Sequence, residues 1–240
     1  MSLARREEHP LLSNRGRDVL TAVLLVLATA VVFLLVGLGA THGWVQRIDD
    51  RFLREMVSVR NGPVTSAAKV LNLLGGFAVM LAVRLLVAGY LAVRRRWWHF
   101  SAFVLAVAVS EACIGTLKRI YDRPRPPKSL SLVGTTGASF PSGHAIAASV
   151  TVVAMVLALF PTGPQRWWWG LVATLFSFVM GISRAYLAAH WLSDAVAGTL
   201  LGVTVALGSA LVVQSIRDHR GPRSKERPLG EVAIPLRSFD

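Results

Sequence analysis

The chain alternates long apolar stretches with short, strongly polar ones. Val19 to Ala40 carries no charged residue, and a helix of that length crosses a hydrocarbon core of about 30 Å. Further apolar runs cover Val70–Val93, Phe100–Leu117, Ala145–Phe160, Trp167–Ile182 and Ala195–Ile216. The pattern predicts an all-α protein built as a six-transmembrane helix bundle. The fourth and fifth runs, at roughly 16 residues, are short against the roughly 20 of a full span. Their outer ends carry polar residues, which lets a polar site dip into the interface. The first run is too long for the apolar part of a cleavable signal peptide and reads as a retained anchor. After it, Trp44, Ile48, Phe52, Met56 and Val59 recur at helical spacing, with Arg47, Asp50, Arg51 and Arg54 opposite. Residues 44 to 59 therefore read as an amphipathic helix lying in the outer interface.

Three parts follow: a basic cytoplasmic N-terminus (1–18), the membrane domain (19–216) and a basic cytoplasmic tail (217–240). The tail is polar and broken by Gly and Pro, the pattern of a disordered segment near anionic lipid.

Charge sets the orientation. The formal net charge of +13 would suggest nucleic acid if the cations formed one soluble face. They cluster instead at the ends of apolar runs, which argues against nucleic acid and for anionic lipids at the basic inner loops. With the N-terminus inside, fourteen Lys and Arg fall in inner segments and five in the outer connection 41–69. This count sets aside the cations of 118–128 and Arg184. The bias places the third-to-fourth and fifth-to-sixth connections on the extracytoplasmic side. The single cysteine, Cys113, offers no disulfide and no thiolate metal site.

Those two connections hold the candidate chemistry. Lys118 and Arg125 lie seven apart, at a helix end and in a Pro-stiffened loop. Together they provide a point charge and a bidentate fork for one phosphate; an interfacial headgroup anchor would look similar. The loop ends in Pro141-Ser142-Gly143-His144. A helix starting there presents backbone N–H groups to an anion, and Ser142 is placed to cap it. Ser183-Arg184 precedes His190 and Asp194, four residues apart. On a helix these two share a face, so the carboxylate can hold one imidazole nitrogen and free the other. Arg119 and Arg123 read as solvated loop cations, with a second phosphate as the alternative for Arg123.

Two charges fall outside this set. Arg84 in the second run and Glu111 in the third sit at similar depths, about 15 and 20 Å from the inner end. A lone charge in lipid costs at least about 2.5–3.5 kcal/mol, so an Arg84–Glu111 ion pair is expected.

Lys118-x6-Arg125-Pro126, then Pro141-Ser142-Gly143-His144, then Ser183-Arg184-x5-His190-x3-Asp194 resembles the signature of the type 2 phosphatidic acid phosphatase family, in order and without departure. The resemblance implies a membrane lipid phosphatase. It assigns His190 as nucleophile, Asp194 as its orienting carboxylate and His144 as general acid and base. Lys118, Arg125, Arg184 and the amides of Ser142 and Gly143 would hold the phosphate. An unperturbed histidine pKa of about 6.5 would suit both histidines. It implies no cofactor and no metal, since three fixed cations supply the electrostatics. The substrate class is a membrane lipid phosphate: polyprenyl diphosphate, phosphatidylglycerol phosphate or phosphatidic acid. A lipid-to-lipid phosphotransferase and a non-catalytic lipid-phosphate carrier are the alternatives.

Overall fold

The structure, a computed structural model, describes residues 9–12 and 15–220. The basic segment up to residue 8 and the tail from 221 lie outside the described residues. The described chain is all-helical. α1 (Arg15–His42), α2 (Trp44–Ser58), α3 (Gly62–Leu74) and α4 (Phe77–Val93) form the first half. α5 (Trp97–Tyr121), α6 (Gly143–Leu159), α7 (Pro164–Tyr186) and α8 (Leu192–Arg220) form the second, with one 3-10 turn at Lys128–Leu130.

Among the described residues, α1, α5, α7 and α8 are long and apolar enough to cross a membrane. The expected second span is two helices. α3 and α4 make one crossing only as a pair bent by 52°. The break falls at Gly75-Gly76, and a Cβ on Gly75 would lie 2.9 Å from Met180 Sδ and 3.1 Å from the His144 ring. The apolar run hides this break because Gly reads as neutral in hydropathy. α6, at 17 residues, is shorter than a span. It is also the best enclosed helix: Ala145, Ile146, Ala148, Ser149, Val150 and Thr151 are all fully buried, with α5, α7 and α8 packed around it.

The packing is that of a membrane bundle. Lipid tails supply no hydrophobic drive between helices, so close backbone approach does the work. On α8, a Cβ at Gly198 would meet the Ser142 carbonyl at 2.8 Å, and one at Gly202 the Ile146 carbonyl at 2.8 Å. Leu and Val side chains on α1 and α4, among them Leu20, Leu34, Leu85 and Leu86, point outward and are exposed. Trp97, Trp167 and Trp168, also exposed, mark one end of the bundle, beside the α4–α5 and α6–α7 turns. Interfacial tryptophans favour that level. Arg166, counted above among the inner loop cations, turns inward and donates to the carbonyls of Leu157 and Phe160.

The expected mid-bundle pair is present. Arg84 Nη1 lies 2.6 Å from Glu111 Oε1, and Arg84 Nε donates to Thr151 Oγ1 at 2.9 Å. The amphipathic helix is present as α2, but a different face is covered. Val45, Asp49 and Leu53 are buried, whereas Ile48 and Val59 of the expected apolar face are exposed. A carboxylate takes the central place on the packed side.

Candidate active site

The opposite end of the bundle gathers all three signature segments. α5 runs four residues beyond the expected span and carries Lys118 in its last turn; α7 extends to Tyr186 and carries Ser183 and Arg184. These residues therefore sit on helices that reach into the site. The loop 122–142 crosses above them. Its fold is held by Arg125, which donates to the carbonyls of Thr136, Gly137 and Ala138. Lys118 Nζ donates to the Ala138 carbonyl at 2.6 Å. Arg125 also lines, with Pro126, Lys128 and Thr136, a cleft of about 530 Å³.

His190 and Asp194 do not share one helix. His190 lies in the tight turn after α7, where Ala188 has φ 53°, and Asp194 lies in the first turn of α8. Asp194 Oδ2 accepts from the Trp191 amide at 2.9 Å, the reach-back of a capping box. This bond fixes the carboxylate against the chain that carries His190. Nδ1 of His190 lies 3.6 Å from Asp194 Oδ2, longer than a formed hydrogen bond. Such contacts commonly tighten only when substrate binds. Nε2, on the other side of the ring, lies 3.2 Å from Arg125 Nη1.

His190 is buried, and burial pushes its pKa down to about 4. Asp194 pulls the other way, and Arg125 and Arg184 add to the lowering. The imidazole is thus neutral across the ordinary pH range, below the unperturbed value expected above. Burial lowers Arg125 as well, partly offset by Asp194.

Two donors in the signature segments are buried and left without partners. Arg184 is nearly fully buried; one Nη donates to Asn72 Oδ1, while its Nε is buried without a partner. Ser142 occupies the N-cap position of α6 but makes no side-chain cap bond, and its Oγ is likewise buried and unpartnered. Buried donors are rarely orphaned, and two in one site point to a missing acceptor. The Ser142 amide, by contrast, is taken: it donates to the Asp194 carbonyl at 3.1 Å. Of the two amides expected to hold phosphate, only that of Gly143 stays in question. A Cβ at Gly143 would meet nothing nearer than Ile114 Cγ2 at 3.9 Å, so the glycine leaves space above α6. His144, in the first turn of α6, has its pKa lowered by burial and by Arg184 to about 4, also below the unperturbed value expected above, against a raising hydrogen bond to the Asn72 backbone.

Four residues escaped the sequence reading. Arg123 is buried, not solvated. It donates to Asp194 Oδ1 at 2.7 Å and to Asp49 Oδ2 at 2.7 Å. Ser139 donates to Asp194 Oδ2, and Asn72 touches both Arg184 and His144. Asp49 had one legible signal: it lies four residues from each of Val45 and Leu53, a carboxylate on an apolar stripe. Arg119 is exposed as expected and donates to the Gly115 carbonyl of its own helix.

Comparison with known proteins decides the family. Residues 99–218 match the PAP2 superfamily, half of the chain and all three signature segments. The chain belongs to the PAP2 superfamily. Its relatives are phosphatases, and family membership makes this chain a phosphatase. It is 24% identical over 177 residues to phosphatidylglycerophosphatase B of Bacillus subtilis, covering 72% of this chain and 87% of that one. It is 30% identical over 116 residues to an undecaprenyl-diphosphatase of Sulfolobus acidocaldarius, covering 46% of this chain and 52% of that one. The fold matches the crystal structure of a transmembrane PAP2 type phosphatidylglycerolphosphate phosphatase from Bacillus subtilis with TM-score 0.71, at 21% identity. That match covers 84% of this chain and 98% of the other. Aquifex aeolicus LpxE matches with TM-score 0.55 at 20% identity, over 66% of this chain and 92% of the other. The apolar helices and the shared fold make this a multi-pass membrane protein.

Proposed function

We propose that this phosphatase hydrolyses a lipid phosphate or diphosphate at the outer membrane face through a phosphohistidine on His190. The observation that carries the reading is the open donor set: Arg184 Nε and Ser142 Oγ, buried without partners next to a neutral His190 backed by Asp194.

In this reading Nε2 of His190 attacks phosphorus while the bond to the lipid oxygen, or to the terminal bridging oxygen of a diphosphate, breaks. His144 gives its proton to the leaving oxygen. It then takes a proton from water, which attacks the phosphohistidine and releases inorganic phosphate with His190 restored. Asp194 holds Nδ1–H and steadies the positive charge on the ring. Lys118, Arg125 and Arg184 balance charge on the non-bridging oxygens, the largest electrostatic contribution available here. Among the described residues, no group of three His, Cys, Asp or Glu side chains is disposed to hold a metal ion. The reading accordingly expects turnover to survive chelation by EDTA.

Substrate class rests on the relatives' names, phosphatidylglycerophosphatase and undecaprenyl-diphosphatase, and on a site opening at the end of a membrane bundle. Both names denote a terminal phosphate on a membrane-anchored group. The deciding experiment is phosphate release by purified protein in detergent from a panel of phosphatidylglycerol phosphate, a polyprenyl diphosphate and phosphatidic acid. Release from at least one of them, abolished by His190→Ala, is expected. No release from any would remove the reading, as would formation of a phosphorylated acceptor lipid in place of free phosphate. For sidedness, Thr136→Cys in a Cys113→Ala background should react with an impermeant thiol reagent in intact cells.

A further inference from the structure

Arg123 sits directly behind the carboxylate that faces His190. Its Nη1 donates to Asp194 Oδ1 and to Ser193 Oγ, each at 2.7 Å. Its Nη2 donates to Asp49 Oδ2 at 2.7 Å and to Gln46 Oε1 at 2.9 Å. The guanidinium carbon lies 5.7 Å from the centre of the Trp191 ring. Asp49, fully buried, accepts in turn from Ser193 N at 2.9 Å and Ser193 Oγ at 2.6 Å. One side chain of α2 thereby satisfies an open N–H in the first turn of α8 and neutralises the arginine behind the site.

We propose that Arg123 and Asp49 are positioning residues for the His190–Asp194 pair, a buried cation that fixes the Asp194 carboxylate and a carboxylate on α2 that balances it. The inference rests on the reading of His190 as nucleophile given above. Asp194 Oδ1 is held by Arg123, while Oδ2 takes Ser139 and the Trp191 amide. Only one direction on Oδ2 remains, toward Nδ1 of His190. Without Arg123 the carboxylate keeps Ser139 and the Trp191 amide on Oδ2 but loses its anchor on Oδ1, so it stays beside the ring less rigidly held. Charge matters as much as shape. Asp49, Arg123 and Asp194 form a minus–plus–minus row ending at His190. Deleting Asp49 leaves the arginine uncompensated, so the row stabilises a positive ring less. Deleting Arg123 leaves Asp194 at full strength, so it stabilises the ring more. Other charged or titratable groups around the ring are Arg125 of the loop, Arg184 of α7 and His144 of α6. Lys118 of α5 adds to the field at Asp194. None of these changes in the two variants.

The two substitutions therefore act in opposite directions, which a merely structural role would not produce. The experiment is the pH dependence of kcat/KM for purified full-length protein, on whichever lipid of the panel it hydrolyses fastest. Substrate ionisation is common to all variants and drops out of the comparison. Arg123→Gln should move the acid limb up by about one pH unit, and Asp49→Asn should move it down by a similar amount. The double variant should fall between them, near wild type. Arg123→Lys keeps the charge and loses the fork. It should lower kcat about tenfold with the limb in place. Should Arg123→Gln fail to assemble, Asp49→Asn and Arg123→Lys decide. Limbs that stay put in Asp49→Asn, or that move the same way in both charge variants, overturn the inference while leaving His190 in its role. Turnover by His190→Ala would instead bring down the reading on which it rests.

Discussion

The mid-bundle and outer clusters of buried charge are finished differently. The mid-bundle cluster is small: Arg84, Glu111 and Thr151, joined across α4, α5 and α6. It ties three helices together, and one guanidinium nitrogen, Arg84 Nη2, is left buried without a partner. The outer cluster joins Asp49, Arg123, Asp194, Ser139, Ser193 and His190 across α2, the 122–142 loop and α8. Its members are hydrogen-bonded to one another, and in the same signature segments Arg184 Nε and Ser142 Oγ are buried without partners. A charge that only has to survive burial needs one good partner. A charge that has to act needs its geometry fixed from behind and its front left free. Unpaired donors alone do not separate the two, because Arg84 Nη2 is also buried without a partner; what sets the outer cluster apart is the histidine–carboxylate pair beside its open donors.

The sharpest way to test that contrast is to remove the front of the outer cluster. His190→Ala should lower phosphate release by at least about a thousandfold, since the nucleophile itself is lost. The melting temperature should fall by several degrees, because truncating a buried ring leaves a cavity, but the protein should remain folded at the assay temperature. His144→Ala should behave alike at about a hundredfold or more. Wild-type rates in either variant, or unfolding in both, would erase the distinction between the clusters.

Next in size is a perturbation of the frame. Gly198 lies one turn beyond Asp194 on α8 and against the Ser142 carbonyl of α6. Gly198→Ala gains helix propensity, roughly 1 kcal/mol, yet forces the two backbones apart just where Asp194 and Ser142 meet. A displacement near 1 Å at reacting groups costs up to about a hundredfold in rate. Lower activity together with lower thermal stability is expected, since the clash with a backbone carbonyl outweighs the gain in propensity. Loss of stability with unchanged activity would place the requirement in packing alone.

The pH profile comes third. Below its pKa His190 is protonated and cannot attack, so activity is lost as pH falls through that value. Burial sets it at about 4, so the wild-type acid limb in kcat/KM assigned to His190 should lie near 4, falling tenfold per unit below. A limb near the unperturbed 6.5 would mean that the ring is hydrated in the working enzyme.

Much of this was legible in the sequence, and for physical reasons. Apolar runs report transmembrane helices because lipid demands them, and Lys118, His144 and Arg184 were legible because each sits in the first or last turn of a helix, with Arg125 and His190 in the polar segments that follow α5 and α7. What stayed hidden has a common cause. Asp49, Asn72 and Arg123 act across long sequence separations, and nothing local marks a side chain whose partner lies seventy or more residues away. The Gly75-Gly76 bend was hidden by hydropathy, which registers no backbone break. Arg123 was read as solvated because it stands in a polar loop; only its burial against Trp191 and Asp49 reveals otherwise.

The smallest effect concerns the mid-bundle cluster, the one feature here expected from depth alone and then met as an ion pair. Arg84 is nearly buried, but the Glu111 side chain is half exposed, at 50%, so at this depth its outer half meets lipid and it can be lost with little loss of packing. Arg84 also keeps Thr151 as a second acceptor, which softens the loss of Glu111. Glu111→Gln should therefore cost about 1–2 kcal/mol, less than the 3–5 of a fully enclosed pair. Arg84→Gln should cost somewhat more, because it removes the bond to Thr151 as well. In the double variant the losses should fall short of additivity by about 0.5–1 kcal/mol, the coupling expected of residues in contact. Thermal unfolding in detergent measures all three, and activity at a temperature well below the transition should change by no more than a few-fold. Simple additivity would mean that each charge finds its own escape to the interface. A large loss of turnover in either single variant would mean that the two clusters are coupled through α5, which carries both Glu111 and Lys118.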